Sequence, residues 1–179
     1  MKAVTESKKS QNIAEYLIYM YQMEDLIRSY QGDRAEMDQY LVSKYPVSED
    51  EKIEISIWFA NLSKQMKSEG IMVKGHLSEL NQVVKELAQL HWDLLKTDKT
   101  YFETYSKAKP FILEAIVQAD GVDLGNEIQI CLNGIYGLLL LRLLDKEVSD
   151  GQLKSAEAFG DILSTLNYHY KLKNSISKN

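Results

Sequence analysis

Glu24, His91 and Arg142 are the residues whose types and positions could support chemistry in this chain. Glu24 falls on the apolar helical stripe Ile13–Leu17–Met20–Ile27. A carboxylate among apolar side chains is costly unless paired, and Arg28, four residues on, is its natural helical partner. His91 lies on the stripe Leu77, Leu80, Val84, Leu87, Leu94, where an imidazole could act as a general acid or base if a partner is placed for it. Arg142 interrupts a run of leucines and needs an acid, for which Glu24, Glu127 and Asp145 are candidates. If Glu24, Arg28, His91 and Arg142 converge, they line a polar pocket inside a helical bundle, suited to a small molecule. The simpler readings are a structural ion pair at Glu24 and a core histidine with a satisfied hydrogen bond at His91.

Motif searches assign no catalytic residue. There is no G-x-S-x-G and no H-E-x-x-H. Gly70–Gly75 has the glycine spacing of a phosphate loop, but His76 stands where the lysine belongs and no strand precedes it. A di-metal bundle site needs Glu-x-x-His pairs. The residues three before His76, His91 and His169 are Val73, Ala88 and Leu166, and His76–Glu79 is a single reversed pair, so neither a metal nor another cofactor is expected. Tyr16, Tyr19, Tyr21 and Tyr30 could stack bases, but their neighbours Glu15, Glu24 and Asp25 are acidic; tyrosines at helix packing edges explain them.

These residues must be held by helices, because nearly every segment between turn signals has 3.6-residue periodicity. The pattern predicts helices over 12–31, 34–44 (stopped by Pro46), 49–68, 72–96, 100–119, 124–147 and 150–172. Ser48 and Glu51 form a capping box, and Gly70 is placed to close the helix that follows it. Thr100 with Glu103 offers a second capping box, Asp123 is the expected cap of the 124–147 helix, and Pro110 predicts a kink or split. Ile53–Ile57 alternates like a strand but follows a strong cap and is kept helical. Residues 1–10 and 173–179 are expected to be frayed ends of a single domain, 1–179.

The segment 124–147 should organise the fold. From Ile128 it reads IQICLNGIYGLLLLRLL, apolar on all sides, so it must be surrounded. Its longest polar-free run, Gly134–Leu141, has eight residues, whereas a membrane span needs about 20. Cover must come from its own bundle or partly from a second subunit. Gly134 and Gly137 would admit a close backbone, and Leu138 and Leu141 present apolar surface; these four are the interface candidates, with a homodimer as the expected assembly.

Composition narrows the function classes. The chain has 179 residues, 45% hydrophobic and 26% charged, with a net charge of −5. The acidic balance argues against nucleic-acid binding, including through Lys171 and Lys173 near the end. The one cysteine, Cys131, forms no internal disulfide and suits a reducing compartment, and the start carries no apolar signal segment.

Asn12–Arg28 (NIAEYLIYMYQMEDLIR), Gln89–Leu95 (QLHWDLL) and Leu138–Leu144 (LLLLRLL) together resemble an uncharacterised family of helical proteins from Bacteroides-type bacteria, classed as a domain of unknown function. The resemblance extends over the whole chain. It implies an all-helical intracellular bacterial protein and brings no activity to any residue. The expectation is an all-α, up-and-down-like bundle of six or seven helices around 124–147. Its expected function is non-catalytic and cytoplasmic, through self-association or docking of another protein. The alternative is a small-molecule-binding bundle or enzyme using the polar pocket.

Overall fold

In the computed structural model, which describes residues 1–176, apolar spacing sets where the chain is helical and side-chain caps set where each helix begins. The order is α1 (Lys2–Gln11), α2 (Ile13–Ser29), α3 (Arg34–Tyr40), a 3-10 turn (Val42–Lys44), α4 (Glu49–Ser68), α5 (Ser78–Thr97), α6 (Lys99–Gln118), α7 (Glu127–Leu143) and α8 (Asp150–Ile176). The protein is all-α, with no strand among the described residues. None of the helices is long and apolar enough to cross a membrane, as searched over those residues. The expectation for 173–179 reaches past them at 177–179.

Two compact units divide the chain, Met1–Asn81 and Gln82–Asn179, the boundary falling inside α5. In the first unit α2 packs on α1 and α4, and α3 packs on α4. Ile13, Leu17, Met20 and Ile27 of α2 are all buried, as their spacing predicts. Asn12 ends α1 in an extended conformation (φ −151°) and caps α2, accepting from the amides of Ala14 and Glu15. Gly32 has φ +66° and closes α2, its amide donating to Ile27 O at 2.9 Å. A Cβ there would stand 2.5 Å from Ser63 Oγ on α4, so backbone conformation and helix approach both require glycine.

Several boundaries differ from the sequence-based expectation. Residues 2–11 form a helix that no apolar stripe announces. It leans on α2 through cations, with Lys9 Nζ 5.2 Å from the Tyr16 ring centre and Lys8 Nζ 5.7 Å from that of Tyr19. The helix expected from residue 72 starts at Ser78. Residues 71–77 are a loop, because Gly75 adopts φ +92° and the segment's polar groups are taken by α2. Asp98 rather than Thr100 caps α6, accepting from Tyr101 N at 2.9 Å. Asn126 rather than Asp123 caps α7, accepting from Gln129 N at 3.0 Å, while Asp123 receives the amide of Gly125. Pro110 sits exposed inside α6, which runs unsplit from Lys99 to Gln118. The Ser48–Glu51 capping box forms, and Ile53–Ile57 is helical.

In the second unit α8 packs along both α6 and α7, and α6 and α7 meet over a shorter stretch. Burial of α7 is uneven. Ile128, Ile130, Cys131 and Leu132 are buried, Gly134–Leu141 is half-buried, and Leu143 and Leu144 are 62% and 65% exposed. The expectation that the whole segment is sequestered therefore holds within one chain for its first turns only. Two packed neighbours cannot enclose a rod that is apolar on every side, and here α6 and α8 leave the far half of α7 only partly covered.

Candidate functional site

Glu24 and the loop before α5 form the first polar cluster. The α2 stripe carries Glu24 to the centre of the first unit, where it is 0% exposed. Its Oε1 accepts the amide of Leu77 at 2.9 Å, and Oε2 lies 2.6 Å from His76 Nδ1, one proton bridging the two. The His76 ring stacks on Tyr21, centroids 3.6 Å apart. Arg28 is not the partner of Glu24. Its guanidinium donates to Asp25 Oδ1 at 2.7 Å, to Ile71 O from Nε at 3.2 Å, and to Gly75 O. One turn of α2 thus grips the 71–77 loop twice, with a carboxylate on its amide and imidazole and a guanidinium on its carbonyls. The cluster fixes the start of α5.

His91 centres the second cluster. It is 1% exposed, with Nδ1 2.7 Å from Tyr101 Oη and Nε2 3.0 Å from Glu127 Oε2. Tyr105 Oη donates to Glu127 Oε1 at 3.0 Å. The hydrogen bond from His91 holds the Glu127 carboxyl below its usual range against partial burial, helped by Tyr105. An ionised Glu127 only accepts, so His91 Nε2 carries the proton of that bond. Burial, then the Glu127 charge, pushes the Tyr105 hydroxyl up to about 12. The Cys131 thiol, buried below, rises to about 12 for the same two reasons. Tyr101, fully buried, is driven up by burial first and then by Cys131, Glu127 and Tyr105. Every polar atom of the His91 ring is used internally, and the network ties α5, α6 and the first residue of α7 together.

The four pocket candidates are therefore distributed. Glu24 and Arg28 belong to the first unit and His91 and Arg142 to the second. Arg142 is exposed, and of the three acids expected for it Glu127 gives its oxygens to His91 and Tyr105 and Glu24 gives its own to His76 and Leu77. The partners that sequence reasoning missed are His76, Tyr101 and Tyr105. Tyr101 and Tyr105 stand four apart at the start of α6, a spacing that puts both on one face and could have flagged them. No local signal points His76 at Glu24, 52 residues away. Among the described residues no group of three or more His, Cys, Asp or Glu side chains is placed to hold a metal ion.

The interface candidates do share a place. Gly134, Gly137, Leu138 and Leu141 all line one groove of about 760 Å³, walled by Phe111 and Glu114 of α6 and by Phe159 of α8. Gly134 is already occupied from within. A Cβ on it would meet the Phe159 ring at 2.6 Å, so its small size admits Phe159 rather than another chain. Gly137 faces open space, with nothing within 4 Å of a Cβ there.

A family model described as a domain of unknown function (DUF4924) matches residues 2–176. The chain belongs to this family. The match begins with α1 and runs through α8, so the helix without an apolar stripe is part of the shared domain. No curated protein and no solved structure matches the chain.

Proposed function

We propose that this DUF4924 member is a non-catalytic helical protein that works by self-association, two copies covering each other's far half of α7. The supporting observation is the combination of groove and ridge on one face. Leu138, Leu141 and Leu144 line the groove, and Leu144 stands at its edge next to Leu143, both more than half exposed. A twofold contact uses the same patch on both copies, so a surface carrying both a groove and a leucine ridge is complementary to itself. Arg142, exposed on the ridge, and Glu114, on the groove wall, supply opposite charges for the rim. The satisfied His91 network supports the non-catalytic reading, because it presents no free base to a cavity. The single, buried cysteine supports a reducing, cytoplasmic setting.

Gly137→Cys tests the contact. Its thiol faces the open groove, and Cys131 is buried and unreactive. Mild oxidation should give a disulfide-linked dimer with Gly137→Cys and none with a cysteine at exposed Lys99. Equal yields at both positions, or none at either, would refute the interface.

A second reading has one observation in its favour. The groove volume, about 760 Å³, lies within the span of small-molecule sites, roughly 300–1,000 Å³. A ligand there would protect Gly137→Cys from alkylation without doubling the mass.

A further inference from the structure

Of the imidazole nitrogens in the two polar clusters, only Nε2 of His76 bonds to no described residue. Nδ1 of the same ring lies 2.6 Å from Glu24 Oε2, and Glu24 Oε1 already accepts the amide of Leu77. An ionised Glu24 leaves the proton of the shorter bond on Nδ1, so the ring lone pair is on Nε2. Tyr21 covers one face of the ring, the centroids 3.6 Å apart. Among the described residues Asp38 Oδ1 is the one side-chain nitrogen or oxygen that is both unpaired and shut off from solvent, so the unpaired Nε2 of His76 reaches solvent. A fully buried carboxylate thus fixes the tautomer of a ring whose other nitrogen is open, which makes that imidazole a directed nucleophile.

Three kinds of partner could use the lone pair. A metal ion needs further ligands, and among the described residues no group of three His, Cys, Asp or Glu side chains is placed to supply them. A substrate for general-base catalysis needs a cavity, and the 760 Å³ groove is lined by second-unit residues alone. A small electrophile needs only the open edge of the ring. Lys74 and Glu79, the exposed charges that flank His76 in sequence, balance each other, so an anionic electrophile meets no net charge from them. Among electrophiles a phosphoryl group gives the lasting product, because its negative oxygens keep water from phosphorus, whereas an acyl imidazole hydrolyses readily.

We propose that His76 is a phosphorylation site, its Nε2 taking the phosphoryl group of a P–N donor of the phosphoramidate class. Nε2 forms the bond to phosphorus with its lone pair as the donor's P–N bond breaks, and the electrons of that bond leave on a neutral amine. Nδ1 keeps its proton, and Glu24 offsets the positive charge that the ring gains. Glu24 is the positioning residue. The site belongs to the first unit and is independent of the α7 contact.

Incubation of the full chain with potassium phosphoramidate tests the proposal, with the label mapped by mass spectrometry and the nitrogen that carries it identified by phosphorus NMR. His169 is the internal control. Its side chain is 23% exposed against 25% for His76, but its Nε2 stands 3.5 Å from Asp98 Oδ2. His76 should be labelled at Nε2 roughly tenfold faster than His169 or more, the scale of one hydrogen bond to a charged group. His91, buried and bonded at both nitrogens, should be labelled only on unfolding. Glu24→Gln should slow the labelling of His76 by a similar factor and spread the product over both ring nitrogens. Circular dichroism checks the helices of that variant, and the comparison of His76 with His169 in the parent chain needs no variant. Equal labelling of the two histidines would show exposure alone at work and overturn the proposal. So would label on Nδ1 of His76, no label there, or an unchanged rate and product in folded Glu24→Gln.

Discussion

Glu24 shows what a single buried carboxylate does when its partners come from outside its own helix. It holds an amide and an imidazole of the 71–77 loop, so Glu24→Ala removes two hydrogen bonds and opens a cavity at the centre of the first unit. The expected loss is about 3–5 kcal/mol of unfolding free energy in urea titration. Arg28→Ala, whose side chain is only partly buried and releases carbonyls near the surface, should cost about 1–2 kcal/mol. Glu127 makes a prediction with a sign. Its pKa is lowered in the folded state from an ordinary 4.5, so its contribution is fully present above that value and is lost as pH falls through the lowered one. Glu127→Gln should therefore be less stable than the parent at pH 7, with the gap narrowing below about pH 4.5 in paired melts. Cys131 should resist thiol reagents in the native chain and react on unfolding, because burial and the Glu127 charge disfavour its thiolate. Glu24 and His91 were legible in the sequence as polar interruptions of apolar stripes, since periodicity is a local property. Their partners were not, since His76 reaches Glu24 only through a loop conformation, and Glu127 reaches His91 across 36 residues.

At the scale of elements, what was readable followed the strength of the local signal. The stripe Leu77, Leu80, Val84, Leu87, His91, Leu94 is buried along its length, and the Ser48–Glu51 box starts α4 where the residues require. α1 was missed because it has no such stripe and rests on α2 through lysines over tyrosine rings. The start of α5 was misplaced because Met72–His76 satisfies a helical pattern, whereas the left-handed Gly75 and the tertiary grip of Glu24 and Arg28 keep it a loop. The two glycines of α7 separate internal packing from exposed surface. Gly134→Ala drives a methyl into the Phe159 ring and should destabilise the chain by roughly 1–3 kcal/mol. Gly137→Ala meets nothing within the chain and should gain about 0.5–1 kcal/mol from helix propensity. Thermal melts at low protein concentration read both, and a destabilised Gly137→Ala would show that the groove is packed from within.

For the whole molecule, an all-α chain with one all-round apolar helix was evident from the sequence, whereas its division into two compact units was not. No Pro- or Gly-rich linker marks the boundary, which falls inside a continuous helix. The sequence also gave no means of telling cover supplied within the chain from cover supplied by a second copy. The structure encloses the first turns of α7 and leaves Leu143 and Leu144 exposed at a groove that Leu144 helps to line. Static light scattering across a dilution series is the most direct test of a second copy on that face. Self-association predicts twice the 20.6 kDa chain mass for the parent protein and the single-chain mass for Leu141→Glu, whose charge would be buried at the contact. A parent chain that stays at 20.6 kDa throughout the series contradicts it.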